Sequence, residues 1–187
     1  MKADRPTGIG ARVSRLEDPR LLSGRARYID DIRRPGMMYL SFARAQMAHA
    51  RILEIDADAA LEMDGDIRIY TGADTLGLSI TANQDVPEFQ PSSQPLLADD
   101  RVRFVGEPVA AVLADDPYLA EDAAELVFID YDPLPVLADM KSALAEDAPL
   151  MFDGWRDNRF VERQMKGGDI EASRKNAAHV IRRTYRT

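Results

Sequence analysis

Histidine is the side chain best suited to acid–base and metal chemistry near neutral pH, and this sequence contains two histidines. His49 lies between two alanines, and His179 lies 130 positions further along the chain. Neither has a second histidine or an acidic residue at the spacing typical of metal ligands. We therefore predict that both are core or boundary histidines with a structural role. A catalytic base is the alternative for either one.

Paired carboxylates offer a second chemistry, because they can bind a metal ion or divide the roles of general acid and general base. Adjacent aspartates occur three times, at positions 30–31, 99–100 and 115–116. Each pair lies beside a turn or a helix start, where a carboxylate accepts hydrogen bonds from backbone N–H groups. The sequence therefore favours turn and capping roles for all three pairs.

Glu107 differs from these pairs because it lies between two apolar segments of the chain. Burial between such segments would raise the pKa of its carboxyl group, and a raised pKa is also typical of a carboxyl group that acts as a general acid. The surrounding turn residues favour a structural role instead. We predict that Glu107 accepts hydrogen bonds from turn amides or pairs with an arginine.

Two glycine-containing segments resemble phosphate-binding loops only superficially. The Gly-Ile-Gly segment at 8–10 follows no predicted strand and opens no predicted helix, as a dinucleotide-binding loop must. In the Lys-Gly-Gly-Asp segment at 166–169, lysine and glycine come in the wrong order for a phosphate loop. No nucleophile, base and oxyanion hole come together either. We predict no catalytic, cofactor-binding or metal-binding residue in this chain.

The composition limits the class of protein. The chain has 187 residues, 45% of them hydrophobic, which suffices for one core and excludes a disordered or fibrous protein. Zero cysteines exclude disulfides, an iron–sulfur cluster held by this chain and a thiolate nucleophile, and they fit a reducing compartment. No apolar stretch approaches the roughly 20 residues of a membrane span, and the first ten residues lack the apolar part of a signal peptide. We expect a cytoplasmic protein.

Charge is distributed unevenly along the chain. Residues 1–36 carry nine basic and five acidic residues, residues 37–153 carry six and 23, and residues 154–187 carry nine and four. The net charge of -8 disfavours binding to nucleic acid or to an anionic membrane over the whole surface. The basic ends could grip nucleic acid, lie on another protein or simply be solvated. A protein partner is favoured, because the ends lack the interleaved aromatic residues of single-strand binders.

Hydrophobic periodicity and turn residues predict an alternation of strands and short helices. The predicted strands are 37–45, 51–55, 67–71, 102–105, 109–113, 128–131 and 179–185. The predicted helices are 19–22, 56–61, 117–127, 140–145 and 169–176, and residues 27–29 are predicted to be extended. Residues 77–98 contain three prolines and few apolar positions, so they are predicted to form a long loop, and 146–168 is predicted to be irregular.

The helix that follows Asp116 and Pro117 has the clearest start signal, an N-cap residue before a proline at the first helical position. Its apolar residues predict one buried face. That face comprises Leu119, Ala123, Leu126 and Val127. We predict that it packs on one sheet built from residues 102–105, 109–113 and 128–131.

A series of short motifs resembles one known family. The segments are Arg15-Leu-Glu-Asp18, Tyr28-Ile-Asp-Asp31, Ala48-His-Ala-Arg-Ile52, Thr71-Gly-Ala-Asp74, Val102-Arg-Phe-Val-Gly-Glu107 and Val109-Ala-Ala-Val112, in this order. Together they resemble the N-terminal part of the large chain of molybdenum hydroxylases, the family of xanthine dehydrogenase, aldehyde oxidase and aerobic carbon monoxide dehydrogenase. The resemblance covers residues 9–186 and departs at Arg44-Ala-Gln-Met47, where the family more often has Arg-Ser-Pro.

The resemblance implies an α+β fold of the α/β-hammerhead type, a mixed sheet with short helices packed on it and extended N- and C-terminal arms. It divides the chain into an N-terminal arm at 1–36 and a hammerhead core at 37–145. The remaining residues, 146–187, are implied to be a C-terminal linker and strand that lead toward a missing molybdopterin-binding domain.

Function also follows only from the resemblance. Large chains of this family bind molybdopterin, expected here in a dinucleotide form, and hydroxylate a carbon centre with oxygen from water. They pass electrons to subunits that carry iron–sulfur clusters and FAD. The family's pterin-binding residues and catalytic glutamate lie beyond the hammerhead, so no catalytic residue carries over to this chain. The resemblance predicts a truncated or split subunit with a structural and assembly role beside molybdopterin-binding, iron–sulfur and flavin partners. A non-catalytic interaction module without a molybdenum partner is the alternative.

Overall fold

The computed structural model describes residues 9, 14–82, 85–86 and 88–185 of the chain. The strands are β1 (Tyr39–Arg44), β2 (Ala50–Asp56), β3 (Arg68–Thr71), β4 (Ser79–Ala82), β5 (Ser92–Pro95), β6 (Arg101–Val102), β7 (Pro108–Ala114) and β8 (Phe128–Pro133). The α-helices are α1 (Asp18–Leu22), α2 (Asp58–Leu61), α3 (Pro117–Glu125), α4 (Met140–Ala143) and α5 (Ile170–Asn176). Short 3₁₀ helices cover Ile29–Asp31 and Gly72–Thr75. None of the helices in these ranges is long and apolar enough to cross a membrane.

The α+β class is confirmed, but the strands are divided between three sheets instead of forming one mixed sheet. The orders are β1-β7-β3, β6-β2-β8 and β4-β5, and each of these pairings is antiparallel. β7 is the central strand of the first sheet because its run of valine and alanine side chains is suited to burial between two neighbours. β2 is the central strand of the second sheet.

The prediction that 102–105, 109–113 and 128–131 share a sheet is therefore wrong. β6 and β8 both pair with β2, whereas β7 pairs with β1 and β3. The predicted strand at 102–105 ends at Val102, because the chain turns there, and Phe104 and Val105 are exposed. Gly106 completes this turn at a φ of 90°, a left-handed conformation that glycine adopts without strain.

Helix α3 confirms only part of the predicted face. Its buried residues are Ala120, Ala123 and Ala124, and Val127 is buried just after the helix ends, so the prediction is right for Ala123 and Val127 and wrong for the two leucines. Leu119 is only half-buried, and Leu126, which caps the helix C-terminus, remains 44% exposed. Three alanines allow the helix to lie close to β1 and β7. The prediction missed Ala120 and Ala124 because small residues, which carry little weight in a hydrophobic pattern, form much of the contact.

Two clusters of buried side chains make up the core. The first contains Ala43, Ala60, Ala110, Val112, Ala123, Ala124 and Val127. The second contains Ala45, Ala50, Ala98, Val102 and Val109. Strands β1 and β7, with the residues that follow β1, supply members of both clusters. The turn between β6 and β7 lies beside the second cluster, which contains Val102 before it and Val109 after it.

The predicted loop at 77–98 contains a β-hairpin formed by β4 and β5. Prolines are compatible with this hairpin because Pro91 precedes β5 and Pro95 ends it, and a two-stranded sheet has only edge strands. Leu78 and Leu96 extend the ladder through a backbone hydrogen bond of 3.2 Å.

The two ends of the chain also differ from expectation. Residues 29–31 form a 3₁₀ turn where extended backbone was predicted for 27–29, because Asp31 accepts a hydrogen bond from the Tyr28 N–H at 2.8 Å. Residues 179–185 were predicted as a strand but are irregular and exposed. Alternating side chains do not make a strand without a neighbour that accepts its backbone hydrogen bonds.

Candidate functional site

Glu107 is the most completely buried charged side chain of the described residues, with 2% of its surface exposed. Its Oε2 accepts a hydrogen bond from the Arg103 backbone N–H at 2.5 Å, and its Oε1 lies 3.7 Å from the Arg103 guanidinium. Burial raises the pKa of the carboxyl group, while the hydrogen bond and the charge of Arg103 act in the opposite direction. The prediction of a turn amide and an arginine partner is confirmed.

The Glu107 turn is tied to the end of β1 by three hydrogen bonds. The Ala45 N–H donates to the Glu107 carbonyl at 2.9 Å, and the Gly106 N–H donates to the Ala45 carbonyl at 2.8 Å. The Arg44 guanidinium donates to the Gly106 carbonyl at 2.9 Å. The turn connects β6 in the second sheet to β7 in the first sheet. These contacts therefore fix the first two sheets relative to each other. Glu107 thus supports the architecture and is not accessible to a substrate in this arrangement.

Ion pairs extend from this turn toward the surface. Arg101 lies 2.9 Å from Asp100 and 3.0 Å from Asp153, and Arg103 lies 3.6 Å from Asp100. Burial alone would raise the pKa of Asp100, but the hydrogen bond and charge of Arg101, with the charge of Arg103, lower it overall. The arginine side chains are mostly covered and the aspartates are mostly exposed, so the carboxylates screen these guanidinium groups from solvent.

The two histidines lie in different parts of the molecule. His49 is 5% exposed, and its Nδ1 lies 2.7 Å from the Pro135 carbonyl. The His49 carbonyl accepts a hydrogen bond from the Leu134 N–H at 3.0 Å, so the residue holds the segment after β8 against the start of β2. The predicted core position of His49 is confirmed, and its Nε2 has no partner among the described residues. The prediction of a core or boundary position for His179 is wrong, because the irregular C-terminal segment leaves that side chain exposed.

The capping prediction is confirmed for one member of each aspartate pair. Asp116 accepts hydrogen bonds from two N–H groups of α3 at 2.9 and 3.2 Å. Asp31 caps the first 3₁₀ turn, and Asp99 accepts the Asp100 N–H at 2.8 Å. In the Lys-Gly-Gly-Asp segment, Asp169 caps α5 through the Ala172 N–H at 2.8 Å. The Gly-Ile-Gly segment at 8–10 lies outside the described residues except for its central isoleucine.

An open cleft of about 840 Å³ lies between β1, the C-terminal end of α3 and β8. Sequence reasoning missed it because its walls come from three distant parts of the chain. Phe42, Leu126 and Phe128 contribute apolar surface, while Glu121 and Glu125 contribute negative charge. Tyr131 also lines the cleft, and burial raises the pKa of its hydroxyl group although the Gln46 backbone lowers it slightly.

This chain's own residues do not fit a molybdopterin. The cofactor carries a phosphate group, whereas the cleft presents two glutamates, and its one arginine, Arg44, is engaged by the Gly106 carbonyl. Within the described ranges, no three histidine or acidic side chains are placed to hold a metal ion. No catalytic step therefore follows from the residues of this cleft.

Comparison with known proteins identifies the fold. Residues 23–135 match the model of the aldehyde oxidase and xanthine dehydrogenase a/b hammerhead domain. The chain is 42% identical over its whole length to the 6-hydroxypseudooxynicotine dehydrogenase complex subunit gamma of Paenarthrobacter nicotinovorans, of which it covers 24%. It is 38% identical to the carbon monoxide dehydrogenase large chain of Afipia carboxidovorans, with 97% of this chain and 21% of that protein covered.

Solved structures agree with the sequence comparisons. The aldehyde oxidoreductase of Desulfovibrio gigas superposes with a TM-score of 0.76 and 30% identity, over 88% of this chain and 19% of that one. The chain thus spans about a quarter or less of the length of these relatives. The hammerhead architecture that the motifs implied is confirmed. The chain belongs to the aldehyde oxidase and xanthine dehydrogenase family, and it contains the α/β-hammerhead domain of that family's large subunits.

Proposed function

We propose that this chain is the hammerhead portion of a molybdopterin-dependent hydroxylase or dehydrogenase and has a structural and assembly role in that enzyme. The assembled enzyme would oxidise a small carbon substrate with oxygen from water. The observation that carries the proposal is the 42% identity across the whole chain to a dehydrogenase complex subunit about four times as long. Such a match supports a module of a larger enzyme, with the reacting groups supplied outside these 187 residues.

The proposed division of labour agrees with the geometry of the chain. Glu107 and its arginine partner are committed to holding two sheets together, and the cleft beside α3 is acidic where an anionic cofactor would need positive charge. We therefore assign molybdopterin to a separate molybdopterin-binding polypeptide or domain, and iron–sulfur clusters and FAD to further subunits. A cytoplasmic location completes the proposal and is supported by the lack of cysteine in the chain.

The basic C-terminal segment is the part of this chain best suited to bind such a partner. Residues 161–185 are exposed throughout, and they include Val180, Ile181 and Tyr185 among arginine and lysine side chains. Apolar anchors within a basic segment suit docking onto a larger protein, where the arginines pair with carboxylates. In the N-terminal arm, Leu22 and Ile29 are exposed in the same way. We propose that both segments lie on the molybdopterin-binding or iron–sulfur partner.

Metal analysis of the native assembly tests this function. The chain is tagged in the cells that produce it, the assembly is purified, and molybdenum is measured before and after the chain is separated from its partners. We expect stoichiometric molybdenum in the assembly and none in the separated chain. An assembly without molybdenum would favour the non-catalytic interaction module. Stoichiometric molybdenum retained by the separated chain would contradict the assignment of the cofactor to a partner.

A further inference from the structure

We propose that residues 88–95 and 151–160 form a clasp, closed by Gln90, that sets the direction in which the C-terminal segment leaves the hammerhead core. The first part of the clasp comprises β5 and the residues before it, and the second is an irregular segment about 60 positions later. A two-stranded hairpin is marginally stable in water by itself. The contacts between the two parts of the clasp therefore stabilise both the hairpin and the irregular segment.

Gln90 binds the second part of the clasp through its side-chain amide and its backbone N–H. Its side-chain Nε2 donates to the Asp157 carbonyl at 2.9 Å and to the Arg159 carbonyl at 2.7 Å, and its Oε1 accepts the Arg156 N–H at 2.9 Å. Its backbone N–H donates to the Phe160 carbonyl at 2.9 Å. A glutamine side chain thus satisfies three backbone groups of a segment that has no helix or strand to satisfy them.

Aromatic side chains surround this hydrogen-bonded centre. Phe89 packs edge-on against Phe160 with ring centroids 4.8 Å apart, and Phe152 stacks on Trp155 at 4.5 Å. The Trp155 indole N–H donates to the Pro91 carbonyl at 2.9 Å. Trp155 is the single tryptophan of the chain, so its fluorescence reports on the clasp alone.

Charged contacts connect the clasp to the Glu107 turn. Arg103, which pairs with Glu107, also lies over the ring of Phe152 at 5.7 Å, and Arg101 pairs with Asp153 at 3.0 Å. The segment 151–160 is therefore attached to the hairpin and to the turn that joins both sheets. Residues 161–185, by contrast, are exposed throughout. The clasp is the last point at which the core fixes the path of the chain.

The clasp would place residues 161–185 against the molybdopterin-binding partner, a consequence that rests on the proposed function. The clasp itself is tested in this chain without any partner. Amide hydrogen exchange in the parent chain should show segment 151–160 protected and 161–185 unprotected. Gln90→Ala should increase exchange of segment 151–160 roughly tenfold or more, because every side-chain hydrogen bond from Gln90 to this segment is lost. Trp155 emission should shift to longer wavelength, while β1 and β7 keep their protection.

Two further variants keep the test decisive. Gln90→Glu preserves size and the acceptor for the Arg156 N–H, but it loses both donors and places a charge near Asp157, so it should also loosen the clasp. Gln94→Ala, an exposed glutamine on the same hairpin, should change nothing. Unprotected amides at 151–160 in the parent chain, or equal effects of Gln90→Ala and Gln94→Ala, would overturn the clasp. Neither result would affect the molybdenum measurement, so the clasp and the proposed function can fail separately.

Discussion

The body of the molecule, residues 39–133, and its C-terminal segment, residues 161–185, contain similar side chains but expose them to solvent to very different extents. Val112 in β7 is fully buried between two strands and α3, whereas Val180 is largely exposed. Glu107 and its arginine are covered, whereas Arg174 and Glu171 form an exposed pair on α5. The difference shows that residues 39–133 are organised by long-range contacts, while the contacts described for residues 161–185 are local ones, such as those within α5. We infer that such a segment takes a fixed position only when something outside residues 39–133 binds it.

The largest effect should come from Glu107→Ala. The variant leaves the Arg103 N–H without its acceptor and the Arg103 guanidinium without its buried partner, so we expect the free energy of unfolding to fall by about 2–4 kcal/mol. Denaturant unfolding measures the change. The control is Asp153→Ala, which removes a carboxylate that is 82% exposed and should cost less than about 0.5 kcal/mol. Equal costs would mean that the turn does not organise the body.

A pair of valine variants compares the two regions directly. Val112→Ala should lower the free energy of unfolding by roughly 2 kcal/mol, because it removes two methyl groups from the first core cluster. Val180→Ala should change it by less than about 0.5 kcal/mol, because that side chain is largely exposed. Chemical denaturation of both variants of the isolated chain provides the comparison. A substantial cost for Val180→Ala would show that the C-terminal segment packs on the body.

The Leu126→Ala variant separates the observed helix face from the predicted one. Full burial of Leu126 would cost about 2–5 kcal/mol. Because the side chain is 44% exposed at the helix end, we expect a loss of about 1 kcal/mol or less. Ala120→Leu is the complementary change, because Ala120 is buried in the structure but was not part of the predicted face, and overpacking there should cost about 1–3 kcal/mol. A greater loss for Leu126→Ala than for Ala120→Leu would contradict the observed face.

We expect the smallest effect from pH. The pKa of Glu107 is raised in the folded chain, so the folded state binds more protons than the unfolded state between the two pKa values. Stability conferred by the neutral carboxyl group is therefore present at low pH and decreases as pH rises through that window. Relative to Glu107→Gln, the parent chain should lose stability as pH rises above the ordinary pKa of a glutamate side chain. A parent chain that gains stability over that range relative to the variant would show that the charge of Arg103 outweighs burial.

Local signals in the sequence were sufficient for part of this architecture. Asp116 and Pro117 correctly predicted the start of α3, and the valine and alanine run correctly predicted β7. The position of Glu107 between apolar segments correctly predicted its burial and its arginine partner. These features succeeded because each depends on neighbours within a few residues along the chain.

Other features could not be predicted because they depend on contacts between distant segments. The assignment of β6 and β8 to the sheet of β2 follows from long-range pairing. The hairpin of β4 and β5 is stabilised by contacts with residues 151–160, which a local pattern cannot reveal. Residues 179–185 show the opposite error, because their alternation predicted a strand for which the described part of the chain supplies no neighbour.

Hydrogen exchange of residues 161–185, in the isolated chain and in the native assembly, tests the central claim most directly. We predict that these amides exchange rapidly in the isolated chain, while β1 and β7 are protected. In an assembly that contains the molybdopterin-binding polypeptide, the same amides should become protected. Strong protection in the isolated monomer, or none in the molybdenum-containing assembly, would contradict the claim that this segment binds a partner.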